Sequence, residues 1–201
     1  MTPHDVLTFW LGTDDLRAEP PAAAQARWFA GGDALDAAIA ARFGAVLDAP
    51  ERAEAWAIDP AGTLAAVIVL DQLPRNAFRG TARAFATDAR ALRLATDGIA
   101  RGFDAATGIH QRAFLYLPFQ HAEDIAAQER SVALYEALVA DAVGTPGESL
   151  ARGYLAYAEA HRDIVARFGR FPGRNPALGR PDTAEEAAWL AGGGETYGQR
   201  R

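Results

Sequence analysis

The chain has 201 residues, half of them hydrophobic and 23% charged, which is typical of a folded globular domain and excludes a disordered chain. The formal net charge of −6 argues against a dedicated binder of nucleic acid or of anionic membrane surfaces. Because there is no cysteine, thiol catalysis, disulfides, iron–sulfur clusters and cysteine–zinc sites are excluded, and no apolar run approaches the roughly 20 residues that a membrane helix needs.

All 20 basic residues are arginine, so lysine Schiff bases, lysine general bases and a phosphate-binding loop with its lysine are excluded. Any bound anion must therefore be held by guanidinium groups, backbone N–H groups or helix N-termini. The opening MTPHDVLTFWLG lacks the pattern of a signal peptide, which predicts a cytoplasmic location. No long polar linker divides the chain, so residues 1–201 are expected to form a single domain.

The first half of the chain predicts helices separated by glycine and proline. Thr2 is expected to cap a helix over Pro3 to Leu11, and Asp59-Pro60 combines a capping carboxylate with proline at the first helical position. The apolar run from Leu64 to Leu70 is expected to form a central buried helix, because no other strand is available to pair with it. This helix is expected to end at Asp71-Gln72-Leu73-Pro74.

The second half predicts further helices. Thr81 is expected to cap a long one, Pro118 to kink or break another, and Thr183 with Glu186 to form a capping box. Three apolar stripes at helical spacing support long helices here: Phe85 to Phe103, Ile125 to Val139 and Leu150 to Phe168. The fold class is therefore predicted to be all-α, with about eight to ten helices in consecutive antiparallel pairs, as in a tetratricopeptide-like array.

Polar residues interrupt the apolar pattern in three segments, of which the first contains Asp71, Arg75 and Asn76. Asp71 lies three and seven residues after Ile68 and Leu64, so it is expected on a buried face. A buried carboxylate needs a partner, and Arg75 is four residues away. The segment is either a helix-end ion pair, with Asn76 in a left-handed turn, or part of a ligand site.

The second segment runs from Phe114 to Gln128. If it stays helical past Pro118, then His121, Asp124 and Gln128 share one side of the helix. A pair of His121 with Asp124 could perform general acid–base catalysis, whereas a lone histidine in a core is usually structural. No serine or cysteine nucleophile stands at a motif spacing from this pair, so a hydrolase triad has little support.

The third segment runs from His161 to Asn175. His161 continues an apolar stripe and is expected to point inward, and Gly169 is expected to end the helix. Arg170 and Arg174 follow, either as partners of the helix C-terminus or as a clamp for an anion. The pairs Arg75-Asn76 and Arg174-Asn175 both follow a helix end, so both could face one cleft. The four histidines show no zinc-binding spacing, so no metal is predicted.

These motifs resemble the bacterial family called domain of unknown function 924 (DUF924). The resemblance rests on LDQLPRNAFRGTARAFATD, RAFLYLPFQHAED and HRDIVARFGRFPGRNPALGR, together with the opening FWLG. It implies a small, stand-alone, all-helical protein with a tetratricopeptide-like fold, and it implies no reaction. The chain departs from the family at Ala122, where a small hydroxyl residue is expected. The resemblance carries over ten polar positions: Asp71, Arg75, Asn76, His121, Glu123, Gln128, His161, Arg170, Arg174 and Asn175.

Three functional hypotheses follow. The first is a binding module for a protein or peptide partner, since stacked helix pairs form concave grooves. The second is a pocket or enzyme for a small carboxylate or phosphate held by the arginines, and the third is that the polar motifs are purely structural. No cofactor is predicted, and the oligomeric state stays open. The candidate catalytic residues are His121, His161, Glu123 and Asp124.

Overall fold

The computed structural model describes residues 1–30 and 32–198, apart from the side chains of residues 29 and 30. This part of the chain contains helices and no strand, which confirms the all-α prediction. Nine of its α-helices have eight residues or more, within the predicted eight to ten. The α-helices are α1 (Pro3–Leu11), α2 (Ala22–Ala30), α3 (Asp33–Leu47), α4 (Glu51–Glu54), α5 (Pro60–Val67), α6 (Leu73–Ala77), α7 (Asp88–Ala100), α8 (Ile109–His121), α9 (Ile125–Ala142), α10 (Glu148–Phe168), α11 (Asn175–Leu178) and α12 (Ala184–Ala191).

Local capping explains where several helices begin and end. The Thr2 side chain accepts the N–H of Asp5 and the Asp5 carboxylate accepts the N–H of Thr2, so α1 begins as predicted. Asp59 caps α5 by accepting the N–H of Gly62, also as predicted. At its other end, α10 stops at Gly169, whose φ of 69° is in the left-handed region expected of a helix C-cap.

The segment around α5 forms the centre of the molecule. The residues from Leu64 to Asp71 are at most 1% exposed, which confirms the predicted buried helix. The predicted end at Asp71–Pro74 is wrong, because the chain widens into a π-helical turn, Ile68–Gln72, and continues as α6. Pro74 is tolerated because it stands in the first turn of α6, where its missing N–H breaks no α-helical bond. Asn76 is helical and takes no left-handed turn.

Two other helix predictions need correction. Thr81 caps no long helix: its hydroxyl donates to the carbonyl of Phe78, a 3₁₀ turn (Ala82–Phe85) follows, and α7 begins only at Asp88. Pro118 does not break α8, which runs three residues further to His121. The hydrogen bond that Pro118 removes is among the last of the helix, so the loss stays local. The helix does end before Asp124, so residues 121 and 124 do not share a helical face.

Consecutive helices pack side by side in most of the molecule. α8 lies against both α7 and α9, α9 lies against α10, and α5 contacts α1, α7 and α8. Only residues 122–124 join α8 to α9, and such a short connection makes the two helices antiparallel. A small second core at the C-terminal end joins Ile164 and Phe171 to Trp189 and Tyr197. None of the helices in the described ranges is long and apolar enough to cross a membrane.

Gly62 tests how tightly α5 is packed. A Cβ atom on this residue would lie 1.9 Å from the Trp56 carbonyl oxygen, which is backbone and cannot rotate away. Gly62→Ala is therefore expected to lower the free energy of unfolding by about 2 kcal/mol or more. The matched control is Gly44→Ala in α3, where a Cβ meets no atom within 4 Å and stability should rise by about 0.5–1 kcal/mol. Urea unfolding followed by circular dichroism measures both, and an unchanged midpoint for Gly62→Ala would contradict the packing.

Candidate functional site

The three polar segments meet at one cleft, which we call the polar cleft. Its walls include one residue of the first segment, one of the second and four of the third, and its free volume is about 60 Å³. A cavity needs about 10–15 Å³ to hold one water molecule, so the cleft has room for only a few small atoms. The residues that line it are Arg75, Phe85, His121, His161, Phe171, Gly173, Arg174, Glu195, Thr196 and Tyr197.

The deepest interaction at the cleft joins His121 to Asp71. The π-helical turn places the Asp71 carboxylate in the core with no exposed surface, and both of its oxygens lie 2.9 Å from His121 Nδ1. Burial by itself would raise the pKa of Asp71, but the charge of Arg75 and the contact with His121 hold this pKa below its usual range. The ionised carboxylate accepts a hydrogen bond, so Nδ1 of His121 carries the proton and Nε2 carries the lone pair.

Nε2 of His121 makes no hydrogen bond within the described part of the protein, and the ring, whose side chain is 14% exposed, lines the polar cleft. Burial lowers the pKa of His121 below its ordinary value, and this outweighs the opposite effect of the Asp71 carboxylate. The imidazole is therefore neutral near pH 7, with its free lone pair available to the cleft. This is the arrangement that a general base requires.

Two guanidinium groups share one carboxylate beside this histidine. Arg75 donates to both oxygens of Asp88 at 3.1 and 3.0 Å, and Arg174 donates to the same carboxylate at 3.3 Å. Arg174 also donates to the carbonyl of His121 at 2.9 Å, and its guanidinium lies 4.7 and 4.6 Å from the ring centres of Phe85 and Phe171. Burial and the positive charge of Arg75 lower the pKa of Arg174 to about 10. Arg174 is thus a buried cation whose charge is offset only in part by Asp88 and the more distant carboxylates.

His161 also lines the cleft. The Nδ1 atom lies 2.7 Å from the carbonyl oxygen of Tyr157, one helical turn earlier in α10. A carbonyl only accepts, so Nδ1 donates and Nε2 again carries the lone pair. Burial, followed by the neighbouring His121, lowers the pKa of His161 to about 3, and the two ring centres are 6.0 Å apart. The prediction that His161 points inward is consistent with its 4% exposure.

A C-terminal segment, Glu195 to Tyr197, covers the cleft. The ring of Tyr197 stacks on His161 with the ring centres 3.7 Å apart, and the backbone of Tyr197 has φ of 48°. The Glu195 carboxylate accepts the N–H groups of Thr196 and Tyr197 at 2.9 and 2.8 Å. Gly173 allows the close approach, because a Cβ there would lie 3.1 Å from the Thr196 Cα. The C-terminal segment therefore closes part of the cleft from solvent.

Several predicted site residues lie outside the cleft and support its walls. Glu123 accepts the N–H of Phe171 at 2.8 Å and forms an ion pair with Arg180, which ties the loop that carries Arg174 to the end of α8. Gln128 donates to the carbonyls of Gln120 and Ala122 at 2.6 and 2.7 Å. It thereby fixes the last turn of α8, where His121 stands.

The remaining predicted residues are also structural partners. The Asp124 carboxylate accepts the N–H of Ala127 as the cap of α9, so the proposed pair of His121 with Asp124 is corrected to His121 with Asp71. The other contacts are these: Arg170 with Glu186, Asn175 with Asp182, and Asn76 with the carbonyl of Gln72. Of the two Arg-Asn pairs, both arginines reach the cleft and neither asparagine lines it.

Sequence reasoning missed Asp88 and the covering segment. Asp88 is the first residue of α7, and an acidic residue at a helix N-terminus is ordinarily explained by the helix dipole alone. The error in placing the start of α7 at Thr81 hid this position. No group of three or more histidine and acidic side chains that could hold a metal ion occurs in the part of the chain that the structure describes.

The comparisons with known proteins agree with this architecture. The sequence model of a family described as bacterial protein of unknown function (DUF924) matches residues 6–194. The solved structure of a protein of unknown function from Agrobacterium tumefaciens is 40% identical, with a TM-score of 0.77, and the match covers 94% of this chain and 96% of that one. No curated protein sequence matches the chain. The family match includes the walls of the polar cleft but ends before Glu195.

The protonation of the two cleft histidines can be observed directly. We expect His121 and His161 both to be neutral with the proton on Nδ1 at pH 7, because Asp71 and the Tyr157 carbonyl each accept from that atom. Two-dimensional ¹⁵N NMR that correlates ring nitrogens with ring protons distinguishes this form from its tautomer. In Asp71→Asn, the pKa of His121 should fall further, because the charge that stabilises the imidazolium is lost. A proton on Nε2 of either ring would contradict the proposed hydrogen bonds.

Glu186 predicts a pH-dependent contribution to stability. Its hydrogen bonds from Arg170 lower the pKa of the carboxyl from 4.5 to about 2. The folded state binds the proton more weakly than the unfolded state, so the contribution is complete above pH 4.5 and disappears as the pH falls toward 2. Glu186→Gln should therefore unfold more easily than wild type at pH 7 and equally at pH 2 in urea titrations. Glu185→Gln, at an exposed position, is the control, and a gap that persists at pH 2 would contradict this assignment.

Proposed function

The chain belongs to the DUF924 family of bacterial proteins, and we propose that its polar cleft binds a small carboxylate or phosphate with which His121 exchanges a proton. The observation that carries this proposal is the free Nε2 atom of His121, backed by the buried Asp71, in a cleft that also contains Arg174. A structural histidine generally has both ring nitrogens satisfied. Here one nitrogen is held by a carboxylate and the other is left for a ligand.

Asp71 and His121 have distinct parts in the proposed chemistry. Asp71 orients the ring, keeps the proton on Nδ1 and stabilises the imidazolium that forms when Nε2 accepts a proton. His121 accepts that proton from the ligand or from a water molecule beside it. A positioned general base of this kind accelerates a reaction about 10²–10⁴-fold. The proposed reaction uses no covalent intermediate on a serine or cysteine, because neither residue type is among those that line the cleft.

Arg174 supplies the affinity for an anion. Its guanidinium is buried, it shares Asp88 with Arg75, and the single carboxylate contact that it makes is 3.3 Å long. A carboxylate or phosphate in the cleft would add charge-assisted hydrogen bonds to this group, which are about twice as strong as neutral ones. The lowered pKa of Arg174 agrees with this, because burial and the positive charge of Arg75 outweigh the effect of the carboxylates around it.

The size of the cleft separates this proposal from a peptide-binding module. A peptide groove must be long and open, whereas the polar side chains here surround about 60 Å³ beneath Glu195 to Tyr197. The enclosed space therefore favours a ligand of a few heavy atoms. A purely structural role needs only the contact of His121 with Asp71, and the accessible Nε2 atom in a cleft with two arginines is the feature that favours a ligand over that role.

Arg174→Ala tests the proposed anion site. Isothermal titration calorimetry of the full chain with phosphate and with acetate at pH 7 should show binding that weakens at least about 10-fold in the variant, as expected when a charge-assisted hydrogen bond is lost. Arg174→Lys keeps the charge and should bind with intermediate affinity. Arg167→Ala removes an exposed arginine paired with Glu185 and serves as the control. Equal affinity of wild type and Arg174→Ala would refute the role of this arginine.

Proton exchange by His121 has its own measurement. When an anion enters the cleft, its charge should favour the imidazolium, so binding should take up a proton near pH 6.5 but not at pH 7.5, where the imidazole stays neutral. Calorimetry in buffers of different ionisation enthalpy counts the protons taken up. We expect uptake in wild type and none in His121→Gln, while the far-UV circular dichroism of the variant stays that of wild type. Uptake that is unchanged in His121→Gln would assign the proton to another group.

A further inference from the structure

The donors and acceptors of the cleft walls define the ligand more narrowly than the positive charge of the cleft does. Both imidazoles have their Nδ1–H group committed elsewhere, His121 to Asp71 and His161 to the carbonyl of Tyr157. A neutral imidazole with its proton on Nδ1 can only accept at Nε2. Two imidazoles that line the polar cleft therefore carry acceptors, and their ring centres are 6.0 Å apart.

Neither acceptor has a strong donor within the described part of the protein. His121 Nε2 has no hydrogen-bond partner, and His161 Nε2 has only the Gln120 amide nitrogen at 3.5 Å. That contact is long for a hydrogen bond, and the same amide nitrogen lies closer, at 3.3 Å, to the Nδ1 atom. A ligand that displaces water from these two atoms must replace the hydrogen bond that the water donates, so the lone pairs favour a ligand with a donor.

The guanidinium groups of Arg75 and Arg174 are donors only, and beyond the Asp88 carboxylate that they share they favour a further acceptor with negative charge. The Glu195 carboxylate, which also lines the cleft, is an acceptor and is occupied by the N–H groups of Thr196 and Tyr197. A plain carboxylate satisfies the arginines but offers the histidines no hydrogen. A ligand complementary to the whole cleft has an anionic group at the arginines and a hydroxyl between the imidazoles. The small volume requires the two groups to lie on neighbouring atoms.

We infer that the ligand is a small 2-hydroxy acid, whose carboxylate lies at Arg174 and whose hydroxyl donates to His121 or His161. This inference rests on the proposed function, since it uses the same anion site. His121 then faces the proton of the hydroxyl group, which is the proton that a base at this place can accept. His161 is a specificity residue, because it distinguishes a ligand with a hydroxyl from one without it.

A divalent metal ion is the chemical alternative for two such histidines. Metal-bound histidines also donate their other N–H group to a carboxylate or a backbone carbonyl. The polar cleft argues against a cation, because the guanidinium groups of Arg75 and Arg174 line the same small space. In addition, the described residues contain no third histidine or acidic side chain grouped with these two for a metal.

The test compares matched acids that differ only in the hydroxyl. Glycolate and lactate are titrated into the full chain by calorimetry at pH 7.5, with acetate and propionate as their counterparts. In wild type, each hydroxy acid should bind at least about 10-fold more tightly than its counterpart, as expected when a buried acceptor would otherwise stay unsatisfied. His161→Phe should reduce this ratio of affinities towards one while the affinity for acetate stays that of wild type.

Two further variants keep the test decisive. His161→Gln retains an acceptor oxygen and should keep part of the preference for the hydroxy acid, whereas a merely structural role of His161 would lower all affinities together. His4→Phe is the control, because His4 is exposed, pairs with Asp14 and does not line the cleft, and it should leave the ratio unchanged. Thermal unfolding of each variant confirms that it is folded before its affinities are compared.

The outcomes separate this inference from the proposed function. If glycolate and acetate bind equally well to wild type and both bind more weakly to Arg174→Ala, the hydroxyl inference is overturned and the anion site remains. Absence of any Arg174-dependent binding of the four acids and of phosphate would overturn both. Stoichiometric binding of Zn²⁺ that His161→Phe abolishes would overturn the inference in favour of a metal site.

Discussion

The architecture of the cleft depends on one buried charge, the carboxylate of Asp71. An ion without water in the core is tolerated only when other groups compensate it. Asp71 meets this requirement with His121 from α8 and Arg75 from α6, and Arg75 in turn recruits Asp88 at the start of α7. Electrostatic compensation therefore brings together residues that are far apart in the chain. The π-helical turn matters here, because it lets the buried helix pass Pro74 while Asp71 still faces α8.

The compensation extends outward in successive layers. Asp88 also contacts Arg174, and the loop that carries Arg174 is tied to α8 through Glu123 and its partner Arg180. Most of the polar residues singled out in the sequence belong to this supporting network and do not touch the cleft. Such a network holds the few residues that face a ligand within tight limits, because each supporting side chain is fixed by hydrogen bonds of its own.

Enclosure gives the cleft its chemical character. Water is limited to a few molecules, so each unsatisfied donor or acceptor on the walls has a larger effect on binding than it would at the surface. Burial also keeps both histidines neutral, which makes them acceptors instead of cations. The guanidinium groups and the two imidazole lone pairs together define a ligand with both an anion and a donor. A positive surface patch, by contrast, would select only for charge.

The sequence by itself determined the helical class, the capped starts at Thr2 and Asp59, the buried helix after Leu64 and the polar residues worth following. These features depend on neighbours within one or two helical turns, so local periodicity and capping chemistry reveal them. The tertiary structure alone decided that Asp71, and not Asp124, is the partner of His121, that Asp88 is shared by two arginines, and that Tyr197 covers His161. Those contacts join residues 13 to 86 positions apart. Side-chain spacing along one helix carries no information about them, because they are set by how separate helices pack and where a buried charge finds its compensation.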